Sequence, residues 1–345
     1  MVVIRRTRIP ATQLRRQLLH DKPHQRCRVW LWNGEDPIDE LRRRIAAVVL
    51  HYRIPPTELD GWLFVDSGRT SPIIIAQGHR DGVKIAVPVK NELIATIRAN
   101  KIDVVKIDPF VSCHAVSEND NVAIDAVVKT YSQIADVTDG AFELTHHSRK
   151  TGGEDVDAEH ARGASALLGA VRSARTLNAM SKDEAAKAGV SERHRYVRVD
   201  DGKANLAPRS DVATWLKMES MHLGNGSRFA DPGDSVGVFV KWHWPNPMDG
   251  MTADKMTAVV AAVAAGRWRE NMQAQDWVGK PIGDALGLDV SQKADKARVQ
   301  AIVRQLIGAG VLVVVTGKDT KGNERSFVEV GKAERQPIID PHSTP

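Results

Sequence analysis

The sequence predicts an α/β protein, with a mostly parallel sheet first and a smaller domain of three helices and a hairpin after it. Three observations lead there. Residues 102–150 read as a short apolar run ending in Asp108-Pro109, then a polar loop and an amphipathic helix, then a second apolar run ending in His146-His147. Two strands joined by a helix of this length form a right-handed parallel crossover in a buried sheet. Residues 28–33 (RVWLWN), the turn Gly34-Glu35-Asp36-Pro37 and an amphipathic stretch at 38–52 repeat the alternation of strand and helix. Beyond PNPMDG at 245–250 the pattern changes to three helices and two strands.

A chain of 345 residues is long enough for two domains with sizeable cores. Its 42% hydrophobic and 26% charged residues exclude a disordered chain. No apolar run approaches the ~18 residues of a membrane span, so no membrane partner is expected. The basic start lacks the apolar stretch of a secretory signal. Cys27 and Cys113 have no metal-ligand spacing and suit a reducing cytoplasm, the compartment expected here. A net charge of +5 favours an anionic partner, nucleotide or nucleic acid.

Residues 1–26 carry Arg5, Arg6, Arg8, Arg15, Arg16 and Arg26 with little periodic apolar content. They are expected to be a poorly ordered arm, either solvated or touching nucleic acid. The α/β core is expected over 27–245. After the first strand and helix come short strands at 62–67, 73–76 and 83–87, then a helix at 89–100. Asn119, Asp120 and Asn121 start a helix at 123–137. A small-residue helix at 162–174, a strand from 175, a helix at 181–188 capped by Ser181 and a strand at 195–200 follow. Strands at 215–223 and 236–244 are expected to extend the sheet in antiparallel fashion. Lys106 interrupts a strand that should be buried on both faces, so it snorkels or pairs with a carboxylate.

Residues 246–251 are a linker, 252–332 the second domain and 333–345 a proline-rich disordered tail. Helices at 252–265, 276–286 and 293–308, then strands at 311–316 and 326–330, follow the order of a winged helix. In that fold the third helix enters a DNA major groove and the hairpin touches backbone. Lys293, Lys296, Arg298 and Arg304 fall on or near the third helix, and Lys318 and Lys321 on the wing. The same arrangement also serves protein contacts or a lid.

Ligands of open α/β sheets bind outside the carboxyl ends of the strands. Asp108 stands there, where a carboxylate either holds Mg²⁺ beside phosphates or caps the next turn. His146, His147, Ser148, Arg149 and Lys150 place hydrogen-bond donors at the end of the neighbouring strand.

The pieces WNGEDPIDELRRRI, DVVKIDPFVSCHAVSENDN, ELTHHSRK, ARGASALLGAVRSAR and VDDGKANLAP, in that order over about residues 27–245, resemble the RepA-type, RecA-like ATPases. These belong to the hexameric replicative helicase group of the AAA superfamily, with its phage and plasmid relatives. The resemblance implies a RecA-like P-loop NTPase core that uses ATP and Mg²⁺, works on DNA and self-associates as a ring or filament. It implies that Asp108 holds Mg²⁺ and that Glu35 orients or deprotonates the attacking water. His146 or His147 would sense the γ-phosphate, with Arg149 and Lys150 beside it. Arg162 and Lys203 would reach a neighbouring subunit's nucleotide. Each has a plainer reading: Glu35 as a helix N-terminal acid, Arg162 as a surface residue, Lys203 as a solvated turn lysine.

The resemblance lacks one part. No G-x-x-x-x-G-K-[ST] phosphate loop occurs anywhere in the sequence. The expectation is a core that is incomplete at its N-terminus, through truncation, frameshift, a misplaced start or divergence, with little or no ATPase activity. A non-enzymatic DNA-binding or regulatory protein acting through the winged helix is the alternative.

Overall fold

The computed structural model describes residues 2–4, 18–19, 25–147, 164–204, 213–227 and 232–331. In chain order the elements are β1 (Val2–Ile4), β2 (Val29–Asn33), α1 (Ile38–His51), β3 (Leu63–Ser67), β4 (Ala76–His79), β5 (Gly82–Ile85), α2 (Val87–Ala99), β6 (Val104–Asp108), α3 (Asn121–Thr138), β7 (Ala141–Leu144) and α4 (Ala164–Ala170). They continue with β8 (Ser173–Ala179), α5 (Lys182–Ala188), β9 (Tyr196–Ala204), β10 (Thr214–His222), β11 (Ser235–Trp242), α6 (Ala253–Ala264), β12 (Trp268–Arg269), α7 (Gly279–Leu286), α8 (Lys293–Gly308), β13 (Leu312–Lys318) and β14 (Glu324–Val330). Two compact units result: Met1–Met180 with His194–His243, and Ser181–Arg193 with Trp244–Pro345.

The first unit holds a nine-stranded sheet in the order β11-β10-β9-β8-β1-β7-β6-β2-β3. The four strands β7, β6, β2 and β3 are parallel to one another. The rest pair in antiparallel fashion, β1 with both β7 and β8. The crossover β6–α3–β7 carries the core. Ile124, Val127, Val128, Tyr131, Ile134 and Ala135 recur at three- and four-residue spacing, so they share one face of α3, and all are fully buried. That face meets Trp30, Trp32, Val105, Ile107, Phe142 and Leu144 from the sheet, with Leu93 and Ile97 of α2 beside it. The Asp120 carboxylate accepts from the Val122 and Ala123 N–H groups and starts α3; Asp139, in the left-handed conformation, ends it.

Side chains of opposite parity point to the other face. There Val29, Leu31, Leu63 and Val104, with Leu41, Ile45 and Val48 of α1, line a cavity of about 440 Å³. Lys106 stands on this face and pairs with Glu143, its register partner on β7. Its ammonium also donates to Thr145 Oγ1 at 3.3 Å. The charge in the middle of the strand is therefore matched across the ladder, which is the pairing alternative for Lys106.

The second unit packs α5, α6, α7 and α8 with a three-stranded sheet, order β12-β14-β13. Its core is built from Val259, Val263, Trp277, Ile282, Val299, Ile302 and Leu306.

Several expectations need correction. The arm 1–26 is not wholly irregular: Val2–Ile4 is a strand inside the sheet, because a β-branched triplet meets two neighbours with ladder groups to satisfy. The stretch Ser181–Arg193 belongs to the second unit, not to a continuous core over 27–245. The helix expected over 162–174 ends at Ala170, because the chain from Ser173 pairs with β1 and β9. The strand expected at 73–76 is β4, three residues later. The tail 333–345 lies outside the described residues.

Replacing Lys106 with Met leaves the Glu143 carboxylate half-buried without its cation. Lys106→Met is expected to lower unfolding free energy by about 1–3 kcal/mol, and Lys106→Met with Glu143→Leu to recover part of that loss. Urea unfolding of both variants checks it; a double variant less stable than the single would contradict the pairing account.

Candidate functional site

Three strands of the parallel block end in polar residues on the face that carries Lys106. Ser67, Asn33 and Asp108 are register partners at the carboxyl edge, and Thr145 follows the end of β7. Asn33 and Ser67 are buried, while Asp108 is half-buried and lines the cavity beneath α1. The polar row is held by backbone. Gly34 N–H donates to the Asp108 carbonyl at 2.9 Å, and Gly68 N–H to the Asn33 carbonyl at 2.7 Å. The Thr145 carbonyl accepts from Phe110 N–H at 2.7 Å.

The turn after β2 brings Glu35 to this edge. The Asn33 side-chain carbonyl accepts from the N–H groups of Glu35 (3.0 Å) and Asp36 (2.7 Å), an Asx-type turn. Arg69 Nε donates to the Glu35 carbonyl at 2.6 Å, and Ser67 Oγ to the Asp36 carbonyl at 2.6 Å. A Cβ on Gly34 would sit 2.3 Å from Ser112 Cβ, and one on Gly68 2.8 Å from Gly34 Cα. The two turns therefore approach so closely that only glycine fits at either position. The Glu35 side chain itself is exposed. Asp36 pairs with Arg44 at 2.7 Å, and α1 has Asp39 and Glu40 in its first turn.

His146 follows Thr145 and so points to the opposite, core side. Its side chain is 4% exposed, with Nε2 3.8 Å from Glu118 Oε1. Nδ1 donates to the His147 carbonyl at 2.9 Å. Phe110 packs against both imidazoles, with ring centroids 4.7 Å from His114 and 5.9 Å from His146. His114 is buried, and Val116 N–H donates to its Nδ1 at 3.4 Å. Burial holds the His114 pKa below its ordinary value; Glu118 opposes this and His146 adds to it. Cys113 is fully buried, and burial pushes its thiol up to about 12, so it supplies no thiolate at neutral pH.

His147 is exposed at the strand end. Arg149, Lys150 and Arg162 lie outside the described residues. Lys203, on β9, donates to the Leu168 carbonyl of α4, so its ammonium is engaged within the first unit. The structure thus brings Glu35 and Asp108 to adjacent strand ends and puts His146 beneath them. Sequence reasoning missed Asn33, Ser67, Arg69 and Thr145. Asn33 had a legible signal: an Asn at a strand end before Gly starts such turns.

In the second unit, Lys293 pairs with Asp183 of α5 at 2.6 Å. Arg298 donates to the Pro247 carbonyl at 3.2 Å and to the Asp249 carbonyl. Lys296 lies 5.9 Å from the Trp277 ring centroid. Arg304 is exposed, as are Lys318 and Lys321 in and beside the β13–β14 turn. Among the described residues no group of three or more His, Cys, Asp or Glu is placed to hold a metal on protein ligands alone. None of the described helices is long and apolar enough to cross a membrane.

The lowered His114 pKa sets a direction for pH dependence. The unfolded chain binds a proton at His114 before the folded chain does as pH falls. Stability is therefore unaffected above the unfolded value and is lost below it, until the folded imidazole titrates. His114→Gln is expected to lose less stability than the parent between about pH 7.5 and pH 5.5, measured by urea midpoints. Equal losses in the two proteins would contradict this assignment.

No curated protein matches the chain. Among solved structures, one ATPase domain aligns over 62% of this chain and 74% of that chain, at 14% identity and a TM-score of 0.41. Residues 11–153, which contain the whole parallel block with Asn33, Glu35, Asp108 and Thr145, match the family model of the AAA domain.

Proposed function

We propose that this chain carries the carboxylate half of a RecA-like ATPase site, of the RepA type, coupled to DNA. The observation that carries the reading is the placement of Asp108 and Glu35 on adjacent strand ends at the carboxyl edge, inside the stretch that matches the AAA domain. One carboxylate suits Mg²⁺, which keeps most of its waters and takes further oxygens from phosphates. Asp108, half-buried and facing the cavity, is the residue to hold it. A bound Mg²⁺ would neutralise charge on the phosphates. Glu35 is free of the work of capping α1, since Asp39 and Glu40 stand in the first turn, and its exposed carboxylate is suited to orient a water. Thr145 Oγ1, close to the Lys106 ammonium, replaces His146 as the polar side chain on the Asp108 face. His146 takes an indirect part, its Nε2 3.8 Å from Glu118 Oε1 on the core side of the edge. His147, Arg149, Lys150, Arg162 and Lys203 keep the roles that the family pattern suggests, Lys203 only if it leaves the Leu168 carbonyl.

The missing phosphate loop limits the chemistry. The described edge offers carboxylates, a hydroxyl and turn amides, but no lysine from a glycine-rich loop. β1, on the far side of β7, runs the other way, so its amino end lies at the Asp108 edge. Mg-nucleotide is therefore held weakly and turned over little by this chain.

A second reading, a DNA-binding protein acting through the second unit, is favoured by one observation. Its order helix, strand, helix, helix, strand, strand, with the sheet order β12-β14-β13, supports the reading of this unit as a winged helix. Arg304, Lys318 and Lys321 remain exposed for DNA, whereas Lys293 and Arg298 are engaged within the unit and Lys296 lies near Trp277.

Equilibrium binding of a fluorescent ATP analogue tests the first reading. Weak Mg²⁺-dependent binding is expected, at least tenfold weaker in Asp108→Ala, with turnover near background. Binding indifferent to Mg²⁺ and to Asp108 would overturn the site, and fast turnover would overturn the claim of impairment.

A further inference from the structure

The sheet of the second unit ends at β13, and among the described residues no strand lies beyond it. The ladder with β14 fixes which backbone groups of β13 face outward. Gly331 N–H donates to the Val311 carbonyl at 2.9 Å, and Asp319 N–H to the Asn323 carbonyl at 2.8 Å. The register between these two points is continuous, so the odd-numbered residues of β13 are the hydrogen-bonded partners of β14. The N–H and C=O groups of Val314 and Thr316 therefore point to the open edge. No proline or bulge interrupts the seven residues of β13, and Val313 and Val314 are 37% and 42% exposed. An apolar edge left unprotected in this way is a template for a further strand.

Parity separates the two faces of this sheet. Leu312, Val328 and Val330 belong to the core of the unit, so Val315, Gly317 and Phe327 face away from it. Guanidinium groups gather on that outer face. Arg269 is the register partner of Phe327 on β12, and Arg267 precedes the strand. Their guanidinium carbons lie 5.6 Å and 4.0 Å from the Phe327 ring centroid. The Arg267 side chain crosses β14 to reach the edge strand: a Cβ on Gly317 would sit 2.7 Å from its Nη2. Glycine at 317 is what leaves room for it. Neither arginine has a carboxylate partner among the described residues, and Arg269 Nε is buried without an acceptor. Arg325, on the same face, pairs with Asp319 at 3.4 Å, and Glu329 there is exposed and makes no ion pair. Contact with a ring uses the flat side of a guanidinium and leaves its N–H edge for an oxyanion.

From this we infer that β13 is a docking edge for an extended, acidic segment of a partner protein, which adds antiparallel to the sheet as a fourth strand and sets a carboxylate against Arg267. An added strand runs about 4.8 Å from β13. Beside Gly317 it forms a non-hydrogen-bonded pair, the position where cross-strand side chains come closest. With no side chain at 317, a carboxylate there meets the Arg267 fork directly. The neighbouring residues of the strand fall on the face of Val314, so the partner alternates acidic and apolar side chains. In this mode main-chain hydrogen bonds give affinity and alternate side chains give specificity. A second copy of the chain fits less well, because its own β13, LVVVTGK, brings a lysine and no carboxylate. The surface faces away from α8, so it is not the one that the DNA reading uses.

The test is fluorescence anisotropy of two short labelled peptides with the full chain, one alternating glutamate with valine and one alternating lysine with valine. The glutamate peptide is expected to bind and the lysine peptide not to. Binding should slow amide exchange at Val314 and Thr316. Arg267→Gln should weaken it about tenfold or more, the worth of one hydrogen bond to a charged group. Thr316→Pro removes an N–H that β14 does not use, so it should abolish binding and keep the fold, read by circular dichroism. If that variant unfolds, amide exchange in the parent decides in its place. Absence of binding, equal binding of the two peptides, undiminished binding by folded Thr316→Pro, or binding without protection at Val314 and Thr316 would each overturn the docking edge. A parent that sediments as a dimer and becomes a monomer as Thr316→Pro would assign the edge to a second copy and overturn the partner.

Discussion

The packing of α3 across β6 and β7 is the interaction on which the first unit depends. A helix with six fully buried apolar positions at three- and four-residue spacing has one face to hide, and the parallel strands offer one wall of Trp, Val, Ile, Phe and Leu to receive it. Parity then decides the rest. Once Val105, Ile107, Phe142 and Leu144 point to α3, the intervening Lys106, Asp108, Glu143 and Thr145 must point the other way. The charged pair and the polar edge residues are thus placed on one face by the same alternation that builds the core.

That alternation explains which candidates meet and which do not. Asp108 and Asn33 are brought level by the register of β6 and β2, and Glu35 arrives with the Asn33 turn. His146, one residue beyond Thr145, has the wrong parity and turns into the core beside Phe110 and Glu118. Strand-end chemistry is therefore sensitive to a shift of one residue in a way that a motif read as a cluster does not convey.

Much of this was legible in the sequence, where long apolar periodicity specified it. The β6–α3–β7 crossover, the β2–α1 unit and the three helices and hairpin of the second unit all follow from runs of apolar residues with clear boundaries. What was not legible depended on partners distant in sequence. Val2–Ile4 is too short to show alternation, and its place is fixed by two flanking strands. The two residues of β12 gain strand character only from β14. The α5 helix sits between strands of the sheet in sequence, yet its Asp183 pairs with Lys293. Lys203 looked like a solvated turn lysine, and the carbonyl it meets belongs to α4, thirty-five residues earlier.

The central claim is that the carboxyl edge of the parallel block is where this chain meets Mg-nucleotide. Amide hydrogen exchange, with and without saturating Mg-ATP, tests it most directly, because it reports position without requiring turnover. The account predicts slower exchange in residues 33–36 and 108–114, around the Asn33 turn and the Asp108 strand end. Unchanged exchange in both segments, with protection only elsewhere in the chain, would contradict it.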